Sequence, residues 1–200
     1  MDIGKHLSYI IAFACLALSC KAQITPLWQA NPDAPDGSYF KDLDNDLDNF
    51  EGVWESDNNG TILTLDLRKV ENIENGTFNK SEDILVGEYK YVEDGQTIMD
   101  YLPLLDDPTI IGHKHYVSGN TLMANYHRPP CNNCQPDDRR LMLFWIDPEK
   151  RNLRSSSVLR RFQENGVEKL EMRHYLTYGE GSDQDLIPRI PYQTYIMTLQ

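Results

Sequence analysis

Two hundred residues, 40% of them apolar and 25% charged, suffice for one domain with a real core and hardly for two. The formal charge of −12 at pH 7 argues against nucleic acid and anionic membrane surfaces as ligands, because either demands a basic face.

The first residues read as a targeting segment. Lys5 precedes an apolar run from Leu7 to Leu18. At about 1.5 Å per residue that run falls far short of the ~30 Å needed to span a bilayer and matches a signal-peptide core. It ends in Ala17-Leu18-Ser19-Cys20, which resembles a bacterial lipobox, with Ala17 standing where Leu is commoner. The resemblance implies cleavage before Cys20 and acylation of that residue by palmitate-type chains, against a plain secretory cut after Ala22 or a retained anchor helix. Three acyl chains at ~0.8 kcal/mol per buried CH₂ would hold the protein on a membrane. Lys21 in place of Asp implies the bacterial outer membrane, and the lack of an acidic cluster directly after Cys20 implies the periplasm-facing side. Residues 1–19 are then signal peptide, 20–38 a flexible tether and 39–200 the domain. Asp2 and Lys5 leave together, so the mature charge is unchanged.

In chain order, residues 21–38 carry Pro26, Pro32 and Pro35 without periodicity and read as the tether, with Trp28 docking back on the domain. From 39 to 50, Tyr39, Phe40, Leu43, Leu47 and Phe50 recur at spacings of three and four. That spacing predicts a lead-in amphipathic helix of one to two turns, its early acidic residues suited to the helix dipole. The period then drops to 2. Residues 51–56 form a strand, Asp57-Asn58-Asn59-Gly60 a tight turn, and 61–70 a strand with Leu63, Leu65 and Leu67 on one face. A polar loop over 71–81 leads to strands at 84–93 and 96–101, joined by Asp94-Gly95. After a Pro-bearing loop, 109–118 and 121–127 form a hairpin turned at Gly119-Asn120. Further strands cover 139–147, 167–178 and 194–200. Residues 153–164 stand open between helix, for the spacing of Val158, Leu159 and Phe162, and strand, for the hairpin rhythm into Asn165-Gly166.

About nine or ten strands on short links predict a mainly β fold, a single antiparallel up-and-down barrel of about eight to ten strands behind the short lead-in helix. Full charges on the polar alternates and loops of no alternating length argue against a transmembrane barrel.

Phe50-x-Gly52-x-Trp54 after a helix resembles the opening strand of lipocalin-like (calycin) barrels, where Gly-x-Trp closes the barrel floor. Ser19-Cys20-Lys21-Ala22-Gln23, Tyr39-Phe40-Lys41-Asp42 and Phe50-Glu51-Gly52-Val53-Trp54-Glu55 also resemble a group of small bacterial lipoproteins of uncharacterised function. That match covers the N-terminal third. Physical chemistry agrees: burying the ~200 Å² of a Trp at ~25 cal/mol per Å² contributes up to ~5 kcal/mol, and a Gly in a strand admits a close neighbour. Phe50, Gly52 and Trp54 are therefore structural.

Four groups are candidate sites. His113 and His115, on one strand face, with His127, Cys131 and Cys134 make a zinc-type ligand set, whereas Cys131 and Cys134 alone make a disulfide in an exported chain or remain free thiols. Asp44, Asp46 and Asp48 with Glu55 at the twelfth position mimic a calcium loop, although they also suit the wet face of the lead-in helix. Glu88, Asp100 and Asp147 offer a carboxylate pair, as any acidic β protein does, and Ser155-Ser156-Ser157 lacks a nucleophile elbow, so no catalytic residue is assigned. Tyr89, Tyr91, Tyr116, Tyr126 and Trp145, with Tyr101, Phe144 and Tyr178, line a barrel mouth or simply fill it. The expected function is an exported, lipid-anchored, non-enzymatic binding or interaction module of the cell envelope. Its partners are the membrane through the anchor and a small apolar or sugar-like ligand or an envelope protein, with no cofactor. The alternative is a metal-binding protein using the His/Cys cluster.

Overall fold

Apolar alternation and Asn/Asp-Gly turns fold the chain into one eleven-stranded sheet. The structure is a computed structural model describing residues 23–76, 79–131, 133–135, 138–182 and 186–200. Its strands are β1 (Ile24–Pro26), β2 (Tyr39–Lys41), β3 (Gly52–Asn58), β4 (Thr61–Asn75), β5 (Lys80–Glu93), β6 (Gln96–Asp100), β7 (Val117–Met123), β8 (Arg140–Trp145), β9 (Leu153–Glu164), β10 (Val167–Gly179) and β11 (Thr194–Leu199). β3, β4, β5, β7, β8, β9, β10 and β11 pair antiparallel in chain order. β11 returns to β3 through Thr198↔Glu55 and Leu199↔Trp54, closing an eight-stranded up-and-down barrel. β6 adds to the far end of β5, and β1 and β2 add in parallel at its near end.

The interior follows the period-2 pattern. Leu63, Leu65 and Leu67 from β4 meet Leu85, Tyr89 and Tyr91 from β5, Leu141, Leu143 and Trp145 from β8, and Leu170 and Met172 from β10. At the floor, where β3 begins, Leu47, Phe50 and Trp54 are all buried, and Trp54 Nε1 donates to Phe50 O at 3.0 Å.

Three segments depart from the sequence reading, each because short side chains capture backbone groups. Residues 39–50 hold a three-residue strand and a single 3-10 turn, Leu47–Phe50, in place of a one- to two-turn helix. The Asp42 carboxylate accepts the N–H groups of Asp46 and Leu47 at 2.9 and 3.0 Å, and Asn45 sits at φ 56°, where a helix cannot continue. Residues 71–81, expected as a loop, extend the β4–β5 ladder to Asn75↔Lys80 past a bulge at Asn72, whose N–H donates to buried Asp83. Residues 109–118 are largely not strand. Asp107 holds the Thr109 N–H and hydroxyl, Gly112 turns at φ 58°, and Leu105 lays the segment over Ile84 and Val86 on the outer wall. β7 then runs straight through Gly119-Asn120 with a bulge in place of a turn. Residues 153–164 are strand throughout.

The stretch read as tether enters the fold at its start. Gln23 O accepts from Tyr39 N, β1 pairs with β2, and Leu27 is buried in the core. Trp28 stays 48% exposed under the Arg139 guanidinium, 5.6 Å from its ring centroid. Cys20 and the remainder of residues 1–22 lie outside the described residues.

Candidate functional site: the aromatic end of the barrel

Strand register gathers aromatic rings at the end opposite the floor. Val117 pairs with Trp145 and Trp145 with Ser155, while His174 pairs with Ser157, the next inward position along β9, so neighbouring strands bring these inward side chains close together. Tyr89 meets Tyr101 edge-on at 5.3 Å and Trp145 at 5.1 Å between centroids. Tyr101 continues to Tyr116 at 4.9 Å, Trp145 to His174 at 4.9 Å, and His174 to Tyr192 at 5.3 Å. The result is a continuous file of six rings across the mouth.

A strap between β10 and β11 closes that mouth. Ile190, 5% exposed, enters the core between Pro188 and Pro191. Arg189 clamps the strap through a bidentate pair with Asp147 (2.7 and 2.6 Å), a 2.8 Å bond to Tyr101 Oη and a 3.0 Å contact with Glu149. The Asp147 hydrogen bond raises the Arg189 pKa, so this charge is fixed. Beneath the strap, Tyr89, Trp145, Asp147, Leu153, Ser155 and His174 line a partly open recess of about 20 Å³, room for roughly one water molecule. Trp145 Nε1 is buried there without a partner among the described residues.

His174 lies deep in this end, with Nδ1 2.9 Å from Ser157 Oγ. Burial drives its pKa down to about 4, which leaves a neutral ring and a weak base at pH 7. Ser157 and His174 have the make-up of a nucleophile and base, yet both are enclosed in the wall. They behave as a satisfied polar pair in the core.

The candidate residues distribute as follows. Tyr89, Tyr91 and Trp145 are buried and fill the barrel, and Tyr116 joins the file of rings half-buried. Tyr126 is 77% exposed at the floor end, stacked on His127 at 4.4 Å, so it lines no mouth. Phe144 and Tyr178 also face outward.

The His/Cys set is not assembled, because the hairpin that would align it does not form. His113 Nε2 lies 3.1 Å from Glu82, and His115 Nδ1 lies 3.0 Å from buried Glu88 on the outer wall. His127 Nδ1 accepts from Ala124 N at 2.9 Å. Cys131 and Cys134 are joined in a disulfide. Arg140, buried and bonded to the carbonyls of Ala124, His127 and Pro129 at 2.5–2.8 Å, holds that loop against the floor end.

The calcium-loop residues are likewise used singly. Asp48 pairs with Lys69 at 2.6 Å, Asp46 lies 3.8 Å from Arg139, and Glu55 accepts from Thr64 on the barrel wall. Among the described residues no group of three or more His, Cys, Asp or Glu stands ready to hold a metal. Asp100 faces Lys90, Asp147 faces Arg189 and Glu88 faces His115, three separate pairings for the three carboxylates.

Sequence reasoning missed Ile190, Arg189 and the strap they form. The available signal was a lone apolar residue and a cation bracketed by Pro188 and Pro191, which stiffen a crossing segment but leave no periodicity.

A family model described as a family of unknown function (DUF6705) matches residues 4–200. Neither the curated proteins nor the solved structures contain a match to the chain.

Proposed function

The chain belongs to that family of unknown function, and on this premise we propose that it is an exported, lipid-anchored protein of the bacterial outer membrane, periplasm-facing. Its barrel serves as a non-enzymatic binding or interaction module. The observation that carries the second half is the filled barrel. With Tyr89, Tyr91, Trp145 and Ile190 packed inside and about 20 Å³ left beneath the strap, the described interior has no room for a drug-sized ligand, whose pockets run from about 300 Å³ upward. Contacts with a partner are then made by the outer surface and the loops.

The anchor reading rests on the apolar run ending at Ser19-Cys20. The disulfide between Cys131 and Cys134 supports an oxidising compartment. The test is metabolic labelling with an alkyne fatty acid followed by membrane fractionation of wild type and Cys20→Ser. Label and membrane association in wild type, both lost in the variant, are expected. An unlabelled, soluble wild type would overturn the assignment.

A further inference from the structure

The sheet starts almost at the proposed acylation site. Gln23 O is already hydrogen-bonded to Tyr39 N, and β1 begins at Ile24. Three peptide units separate Cys20 from Gln23, so whatever their conformation their Cα atoms are at most about 11 Å apart. An acylated Cys20 would lie at the headgroup level, in an interfacial layer roughly 5–7 Å deep. That leaves no length for a domain to stand away from the bilayer.

We propose that the floor end of the barrel, around β1 and Trp28, is a membrane-seating face that rests on the lipid headgroups, with the aromatic mouth turned away from the bilayer. This rests on the reading that Cys20 is acylated. The observations around the chain's entry agree with it. Ile24 is 58% exposed and Trp28 48% exposed, and Trp28 lies under Arg139, the pairing of an amphipathic ring and a cation that suits a headgroup layer. The turn carrying Trp28 packs on β7. The loop leaving β7 presents exposed Tyr126 stacked on His127, held in place by Arg140 and the Cys131–Cys134 disulfide.

Polarity along the barrel follows from register. β2 meets β5 at Ser81 and Glu82, whereas Tyr89 in the mouth is seven or eight residues further along the same strand, about 25 Å at ~3.3 Å per residue. With strands tilted about 40° to a barrel axis, that puts the mouth roughly 20 Å from β2 along the axis, on the side away from the bilayer. With a formal charge of −12, the chain gains nothing from anionic lipid, so the seat is held by the short link and the rings, and zwitterionic headgroups suffice.

The test uses full-length acylated protein reconstituted in phosphatidylcholine vesicles that carry a nitroxide on the lipid headgroup. Trp28 emission is isolated by subtracting the spectrum of Trp28→Phe, because Trp54 and Trp145 are buried in both. Seating predicts loss of at least about half of the Trp28 emission, whereas the Trp145 emission, isolated in the same way against Trp145→Phe, is little affected. A ten-residue Gly-Ser insertion between Ala22 and Gln23 should leave acylation and flotation intact and restore most of the Trp28 emission. Protein that floats with the vesicles while Trp28 is quenched no more than Trp145, or no less after the insertion, overturns the seating alone. Protein that carries no acyl group and does not float overturns the anchor and the seating together.

Discussion

Leu199 lies across Gly52: its Cδ1 stands 2.6 Å from the point that a Cβ on Gly52 would occupy. The contact sits where β11 closes on β3, next to the Leu199↔Trp54 pair and the 2.9 Å bond from Gln200 N to Val53 O. Gly52 also adopts φ 119°, a conformation that L side chains rarely take. Gly52→Ala therefore combines backbone strain of about 1–3 kcal/mol with displacement of Leu199. A lowered denaturation midpoint at unchanged m-value is expected. A midpoint equal to that of wild type would show that the seam tolerates a Cβ.

Trp54 is fully enclosed above that seam and bonded to Phe50 O. Trp54→Ala should cost about 3–5 kcal/mol by cavity formation. Trp54→Phe should retain more of the stability, losing the Nε1 bond and part of the volume. Equal melting temperatures for Trp54→Ala and wild type would remove Trp54 from the core.

The strap gives a matching prediction at the other end. Ile190→Ala removes a buried side chain from the mouth and should cost about 2–5 kcal/mol. Arg189→Ala breaks the pair with Asp147 and leaves that carboxylate beside Tyr101 without its cation, so it should also loosen the strap. Amide hydrogen exchange over 186–193 measures both. Exchange unchanged in either variant would show that the strap is not held as described.

Two buried groups give stability opposite pH slopes. Burial raises the Glu88 pKa to about 7, Oε2 has no partner among the described residues, and the neighbouring His115 is itself pushed toward neutrality by burial. Asp66, opposite Glu88 on β4, is paired with Arg68 at 3.1 Å and does not relieve it. A carboxyl pKa raised on folding means that the folded chain holds a proton the unfolded chain has released. Its stabilisation is whole below the ordinary carboxyl value and is lost as pH rises through about 7. Glu88→Gln stays neutral throughout, so it should gain on wild type between pH 5 and 8, by an amount on the order of 2–3 kcal/mol. His174 acts in the reverse sense. With its folded pKa lowered to about 4, its contribution is present above the ordinary imidazole value and is lost as pH falls toward 4. Urea titrations at each pH test both slopes, and parallel pH profiles for wild type and Glu88→Gln would contradict the first.

The strand plan was legible in the sequence wherever one face is core. Leu63, Leu65 and Leu67 alternate because each points into the barrel. Legibility failed where side chains bind the backbone locally. Asp42 turned a helical spacing into a 3-10 turn, Asp83 held a bulge that carries β4 beyond the barrel, and Asp107 broke the strand expected to align His113 with His115. The mouth was half legible. Its aromatic residues could be counted, but alternation along a strand does not tell a ring that lines a cavity from one that fills it. That difference is decided by Ile190, a residue with no pattern around it.

The most direct test is titration of the mature protein with a fluorescent fatty-acid probe, read by probe emission and by Trp145 quenching. A filled barrel predicts no saturable uptake, for the packed rings and Ile190 leave only about 20 Å³ beneath the strap. Saturable one-to-one binding, abolished by enlarging Ser155 or Ser157 in the wall, would contradict the account and make the barrel a ligand carrier.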